Sequence, residues 1–158
     1  MNKEKKSIKA WHVVLLLILI AISVGYRIYG AFWTKATIKF GKQELHVLVA
    51  DTPNHRFKGW SDKKDMGEYD GMLFVFPTSD RYGMVMRDMR FPLDIIWLYN
   101  NTIVDIAPNL PPEPGLPEEQ LTVYKPRAEA TLVLEVPAGF MERTGIKIGD
   151  RMEIIDKK

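Results

Sequence analysis

From Ala10 to Tyr26 the chain runs for seventeen positions without a formal charge, Ala-Trp-His-Val-Val-Leu-Leu-Leu-Ile-Leu-Ile-Ala-Ile-Ser-Val-Gly-Tyr. As a helix this block rises about 25 Å, near the short end of what spans a hydrocarbon core. Trp11, Tyr26, Tyr29 and Trp33 stand at its ends, where amphipathic rings prefer to lie at a membrane interface. The pattern predicts a single transmembrane helix over residues 10–29. A cleaved signal peptide is the main rival, with Ser23 and Gly25 as small residues for a cleavage site. Bulky Tyr26, Arg27, Ile28 and Tyr29 follow at once, and the apolar run exceeds a typical signal core. A third reading, a buried helix of a soluble domain, needs apolar protein on every side.

Past a linker at residues 30–36 the pattern changes to short strand signals. Thr37–Phe40 and Leu45–Val49 flank Gly41-Lys42 as a hairpin, with Leu45, Val47 and Val49 on one face. Thr52-Pro53 reads as a helix cap followed by proline at the first helical position, and a turn or two of helix runs to about Trp60. Gly71–Phe76 is an unbroken apolar run, which suits a strand buried on both faces. Asp94–Tyr99 and Thr102–Ile106 join through Asn100-Asn101, residues that tolerate the positive φ of a tight turn. Residues 108–126 hold six of the ten prolines and predict an extended loop. Thr131–Val136 predicts a strand, Ala138–Thr144 a short helix stopped by Gly145, and Arg151–Ile155 a last strand. The fold class is mainly β: a compact sandwich or barrel-like domain over residues 37–158, with one or two short helices.

Charge sharpens this division. Residues 1–27 carry five Lys or Arg against one Glu, and the remainder carries 17 against 19. The cations lie mostly in the flank of residues 1–9, as Lys3, Lys5, Lys6 and Lys9, which favours an N-terminus inside the cell and an extracytoplasmic domain. The domain itself has no basic field for nucleic acid. No cysteine occurs, which excludes disulfides, a thiol nucleophile and a cysteine metal site.

Three blocks together resemble the family known as domain of unknown function 192. They are Val49-Ala-Asp-Thr-Pro53 with Arg56 and Gly59-Trp60; Asp70–Pro77 running on to Met86 and Phe91–Ile96; and Leu134–Gly139 with Gly145–Asp150. The resemblance covers about residues 38–155. It implies a compact, mainly β fold often carried behind a signal or anchor, and it implies no reaction and no catalytic residues. The chain departs from the family where a tryptophan-methionine pair and then Lys-Asn-Thr are common, and here Val85-Met86-Arg87-Asp88-Met89 stands. This places two extra charges beside the expected pocket.

The candidate chemistry lies in the charged segment from Arg81 to Asp94. Arg87, Arg90 and Asp94, with Asp70 upstream, form the candidate ligand-binding set. A carboxylate beside an arginine fork can hold an anionic or sugar ligand, or serve as general acid and base. A structural ion pair that pins the loop to its strand explains the same residues. Met84, Met86 and Met89 suggest copper ligation or, more simply, core packing. Asp51 with His55, and Asp62 with Asp65, have no recognised metal spacing, so no metal and no cofactor is expected. The four serines include none in a nucleophile elbow. The proline-rich loop offers an extended segment to a protein partner. The function expected is a membrane-anchored extracytoplasmic domain that binds a small ligand or an envelope protein. The alternative is a metal-independent, glycan-directed hydrolase using Asp94 with Arg87 and Arg90.

Overall fold

Alternate apolar residues on two adjoining strands, Ile38 and Phe40 with Leu45, Val47 and Val49, give the hairpin of β1 (Thr34–Phe40) and β2 (Gln43–Ala50) one buried face. This hairpin belongs to a computed structural model that describes residues 9–29 and 32–157, without the side chains of residues 26–29. The chain divides after residue 32 into an N-terminal helix and a mainly β domain, and each is described by itself.

The N-terminal helix, α1, runs over Ala10–Tyr29. Its described side chains are all exposed, the apolar ones included. Those side chains are described only as far as Gly25, and among the described residues no helix is long and apolar enough to cross a membrane.

The domain adds α2 (Pro53–Lys58), β3 (Gly71–Asp80), β4 (Leu93–Tyr99), β5 (Thr102–Leu110), β6 (Ala130–Pro137), α3 (Phe140–Thr144) and β7 (Met152–Lys157). All seven strands form one sheet in the order β5-β4-β6-β3-β2-β1-β7. The mainly β expectation holds, and the sandwich or barrel-like domain expected is one seven-stranded open sheet. Its edges approach each other where Thr102 bridges to Arg151, and the Ile103 amide donates to Asp150 O at 2.9 Å. Neighbouring strands are antiparallel except β2 and β3, whose parallel register sets Val47 beside Gly71 and Ala50 beside Phe74. A parallel pair needs a crossover, and residues 51–70, with α2, supply it.

Both faces of the sheet are apolar. Ile38, Val47, Leu73, Ile96, Leu134 and Met152 cluster on one, closed by Phe140 and Met141 of α3. Met72, Phe74, Ile95, Trp97 and Val133 cluster on the other, under Trp60, Met84, Met86 and Met89 from the connecting segments. Burial on both sides explains why residues 71–76 of β3 read as an unbroken apolar run rather than an alternation. Each such buried aliphatic or aromatic side chain contributes about 1.5–3 kcal/mol. Trp97 keeps its indole satisfied by donating to Tyr82 O at 2.8 Å.

Local signals formed as expected. Thr52 Oγ1 accepts the His55 amide at 3.1 Å, and Asn100 and Asn101 take φ of 49° and 63°. Gly145 ends α3 in the left-handed region at φ 71°. The proline-rich loop begins later than expected, because β5 continues to Leu110.

Asp105 on β5 is a buried carboxylate that anchors the far end of this loop. It accepts the amides of Ile106 at 3.0 Å and Arg127 at 2.6 Å, and the Arg127 guanidinium at 2.5 Å. The hydrogen bond from Arg127 holds its carboxyl below the ordinary range, against the opposing pull of burial. A depressed carboxylate stabilises the fold above its ordinary pKa and ceases to do so as pH falls through its folded value. Asp105→Asn should thus lower the melting temperature at pH 7 and flatten its fall in acid. Melting curves at pH 7, 5 and 3 test this, and an unchanged acid slope would refute it.

Candidate functional site

Val133 and Glu135 alternate with Leu134 and Val136 along β6, so Glu135 lies on the face of the sheet that carries Trp97 and Phe74. Its register partners are Met72 on β3 and Ile95 on β4, both buried on that face. A carboxyl group is thereby set into an apolar sheet, 5 % exposed, and no described protein group hydrogen-bonds it. Burial alone pushes its pKa up to about 8, because the charged form cannot be solvated there.

Glu135 lines a pocket of about 160 Å³ with residues of α2, its C-terminal turn and the segment that follows Gly83. Trp60 lies in the wall, 2 % exposed, and its indole Nε1 has no hydrogen-bond partner among the described residues. Gly59 brings it there by ending α2 at φ 46°, a backbone shape that favours glycine. The turn also passes close to Phe74, whose ring lies 3.4 Å from where a Cβ of residue 59 would be. Trp60 packs edge-on against Phe91, with centroids 6.2 Å apart. A buried polar group without a partner costs on the order of 1–3 kcal/mol, and the Trp60 indole N–H is one among the described residues.

Arg87 forms the rim. Its guanidinium forks onto the carboxylate of Glu118 in the proline-rich loop through Nε and Nη2. Nη1 donates to Phe57 O at 3.0 Å, and the guanidinium lies 4.3 Å from the centre of the Phe57 ring. The fork lowers the Glu118 carboxyl and raises the Arg87 guanidinium. Ser61 Oγ donates to Arg87 O at 2.9 Å, tying the turn after α2 to the rim.

The four residues singled out in the sequence part company here. Arg87 lines the pocket and meets the proline-rich loop through Glu118. Arg90 is exposed and outside the lining. Asp70, half exposed just before β3, accepts the His46 amide at 2.8 Å. Asp94 does not join the arginines, because it alternates with Leu93 and Ile95 and faces the opposite cluster. It is fully buried and accepts the amides of Asn109 at 2.8 Å, Gly139 at 3.1 Å and Met141 at 2.9 Å. It holds the start of α3 against β4 and β5, a structural task. Met86 is core, while Met84 and Met89 also line the pocket. Among the described residues no group of three or more His, Asp or Glu could hold a metal ion.

Glu135 and Trp60 are pocket residues that the sequence reading did not single out. Their signal was an acid inside Leu-Val-Leu-Glu-Val, a run otherwise fit for burial on both faces. Two wider clefts, of about 290 and 320 Å³, lack such groups. In the first, Lys35 pairs with Glu68 at 3.5 Å and lies over Tyr69. The second is walled chiefly by apolar residues and the Asn100-Asn101 turn.

The DUF192 family model, described as "Uncharacterized ACR", matches residues 35–154. Two solved structures are similar. A candidate transcription regulator from Sinorhizobium meliloti 1021 is 27 % identical, with a TM-score of 0.66, over 78 % of this chain and 94 % of that one. A protein of unknown function from Novosphingobium aromaticivorans DSM 12444 is 27 % identical, with a TM-score of 0.63, over 75 % of this chain and 83 % of that one. No curated protein matches the chain.

Proposed function

The chain belongs to the DUF192 family, whose activity is uncharacterised, and on that premise we propose a membrane-anchored domain that binds a small molecule in the Glu135–Trp60–Arg87 pocket. One observation carries the proposal: Glu135, an acid only 5 % exposed in an apolar sheet, lines a small pocket together with Trp60. Such convergence in a mostly apolar recess is the usual form of a ligand site. A ligand group that hydrogen-bonds Glu135 offsets the cost of burying this carboxyl in an apolar recess. The hydrolase reading draws no support from this pocket, since Glu135 is its only acidic lining residue and glycosidases work with two. A regulator's role on nucleic acid draws none either, because residues 28–158 carry 17 cations against 19 anions.

The anchor in this reading is the apolar stretch of residues 10–29, argued from the sequence rather than from the helix. Its support is the uncharged run of residues 10–26 behind four lysines, which orients the domain outward. The full chain should stay with membranes through an alkaline carbonate wash, and a chain lacking residues 10–29 should wash off. External protease should reach the domain in intact cells. Release of the full chain by the wash would sink the anchor.

Binding can be read at the indole N–H of Trp60, one of four tryptophans, identified by its loss in Trp60→Phe. With the full chain in detergent micelles, butyrate, isobutyramide, butylammonium and glycerol are titrated in turn. At least one should shift that resonance saturably. If none does, the pocket has no binding role of this kind.

A further inference from the structure

We propose that this pocket binds a small primary amine, its ammonium group against the Glu135 carboxyl and its apolar end against Phe57, Phe74, Met84 and Met89. The inference rests on the binding role proposed above and narrows it to a chemical class.

The wall selects this class through what its own groups already do. Four ionisable side chains line the pocket: Arg56 and Lys58 from α2, Arg87 from the rim, and Glu135. Arg87 forks onto Glu118 and donates to Phe57 O. Arg56 donates to the carbonyls of Asp51 at 2.8 Å and Val75 at 2.9 Å. Lys58 is exposed to solvent. Three cations thus share the lining with one acid, and no described hydrogen bond or ion pair joins any of them to it. The strands on either side offer nothing more, because the register partners of Glu135, Met72 and Ile95, carry no charge and no side-chain donor.

A carboxylate so placed is short of donors, since it only accepts, through about four lone-pair sites. An ammonium group brings three donors and the countercharge in one small centre. A carboxylate ligand brings no donor at all. An alcohol or an amide brings a donor without the charge. Buried charges in proteins are paired, and in this pocket the pairing is left to what enters.

The remaining lining suits the rest of such a ligand. Phe74, Met84 and Met89 are buried apolar residues of the wall. Phe57 already holds a guanidinium 4.3 Å from its ring centre, and aromatic faces attract cations. An apolar cavity of about 150 Å³ accepts benzene, and this one is about 160 Å³. Butylammonium, one heavy atom smaller than benzene, fits that space.

Calorimetric titration of butylammonium into the full chain, in uncharged detergent micelles, tests the class beside Glu135→Gln. At pH 8 the native chain should bind at least tenfold more tightly, because glutamine keeps the shape of the side chain and removes the countercharge. The empty pocket keeps the Glu135 proton up to about pH 8, and an ammonium group favours the ionised form. Binding below that value therefore releases a proton. Affinity should rise from pH 6 to about pH 8, by at most about tenfold per unit, and then level. Arg56, Lys58 and Arg87 are the other ionisable groups of the wall, so a slope lost in Glu135→Gln belongs to Glu135.

Three outcomes overturn the inference. Butyrate binding more tightly than butylammonium would reverse the preference. Isobutyramide binding as tightly as butylammonium at pH 8 would leave a pocket for neutral ligands. Equal binding of butylammonium by the native chain and Glu135→Gln would place the amine away from the carboxyl. In each case a saturable shift of the Trp60 resonance preserves the pocket and refutes only its ligand class. No response of that resonance to any of the three probes would remove the binding role itself.

Discussion

Glu135→Gln should melt about 10 °C above the native chain at pH 7, a large gain for one substitution at a candidate ligand site. The unfolded chain ionises this carboxyl near its ordinary value of 4.5, and the fold holds the proton up to about 8. Between those values the unfolded state alone is charged and solvated, so each pH unit favours unfolding by about 1.4 kcal/mol. At pH 7 the penalty is about 3 kcal/mol, and about 4 °C accompanies each kcal/mol in a domain of this size. Glutamine has similar volume, is also neutral when buried, and has no proton to lose on unfolding. The sign is opposite to the common case, where a depressed carboxylate adds stability as pH rises. Here native stability should fall from about pH 4.5 to about pH 8 and then level off. The gap between variant and native protein should be small at pH 4, wide at pH 7 and widest above pH 8. Calorimetric melting at those three values decides it. A variant that melts with the native chain at every pH would mean that the folded carboxyl is already charged and compensated.

Asp94→Ala should do the reverse, costing about 4 kcal/mol and lowering the melting temperature by about 15 °C. The carboxylate is fully buried and accepts three backbone amides, from residues 15, 45 and 47 positions away. Removing it strands those donors at once, each at about 1–3 kcal/mol before any relief from water. Asparagine keeps one acceptor oxygen and turns an NH₂ group towards a donor, so it should lie between. Denaturant titration at pH 7 measures both variants. Because Asp94 and Glu135 lie on opposite faces, the Trp60 resonance of a folded Asp94→Asn protein should still respond to butylammonium. Lost response with unchanged stability would return Asp94 to the functional site.

These two acids show where the sequence was legible and where it was not. Short-range features could be read because their causes lie within a few residues. Thr52-Pro53 caps its helix, Asn100-Asn101 turns its hairpin, and Gly145 stops α3, each through local backbone geometry. Seven strand positions followed from runs of apolar residues. The parallel pairing of β2 with β3 did not, because both pairings present the same local pattern. Nor could Asp94 be separated from Glu135 in kind. Each is an acid in an apolar strand, and what distinguishes them is which distant amides approach. Asp94 meets Gly139 and Met141 across the sheet end; Glu135 meets none. In a sheet buried on both faces, alternation no longer says which side is which. Arg87 was legible as a charge beside a pocket, but its partner Glu118 lies 31 residues away in a loop that composition alone describes as extended.

The pairing of β1 with β7 has a mechanical consequence. Ala36 lies opposite Lys157, so the chain enters the domain and leaves it at the same end of one antiparallel pair. A pull between a held N-terminal side and a load on the C-terminus would open that pair as a zipper, rung by rung, rather than shear it as a block. Zippered strands yield at low force. β6, which carries Glu135, lies four places inward from β7 in the sheet. Tension on the domain would therefore be spent at its edge before it reached the pocket.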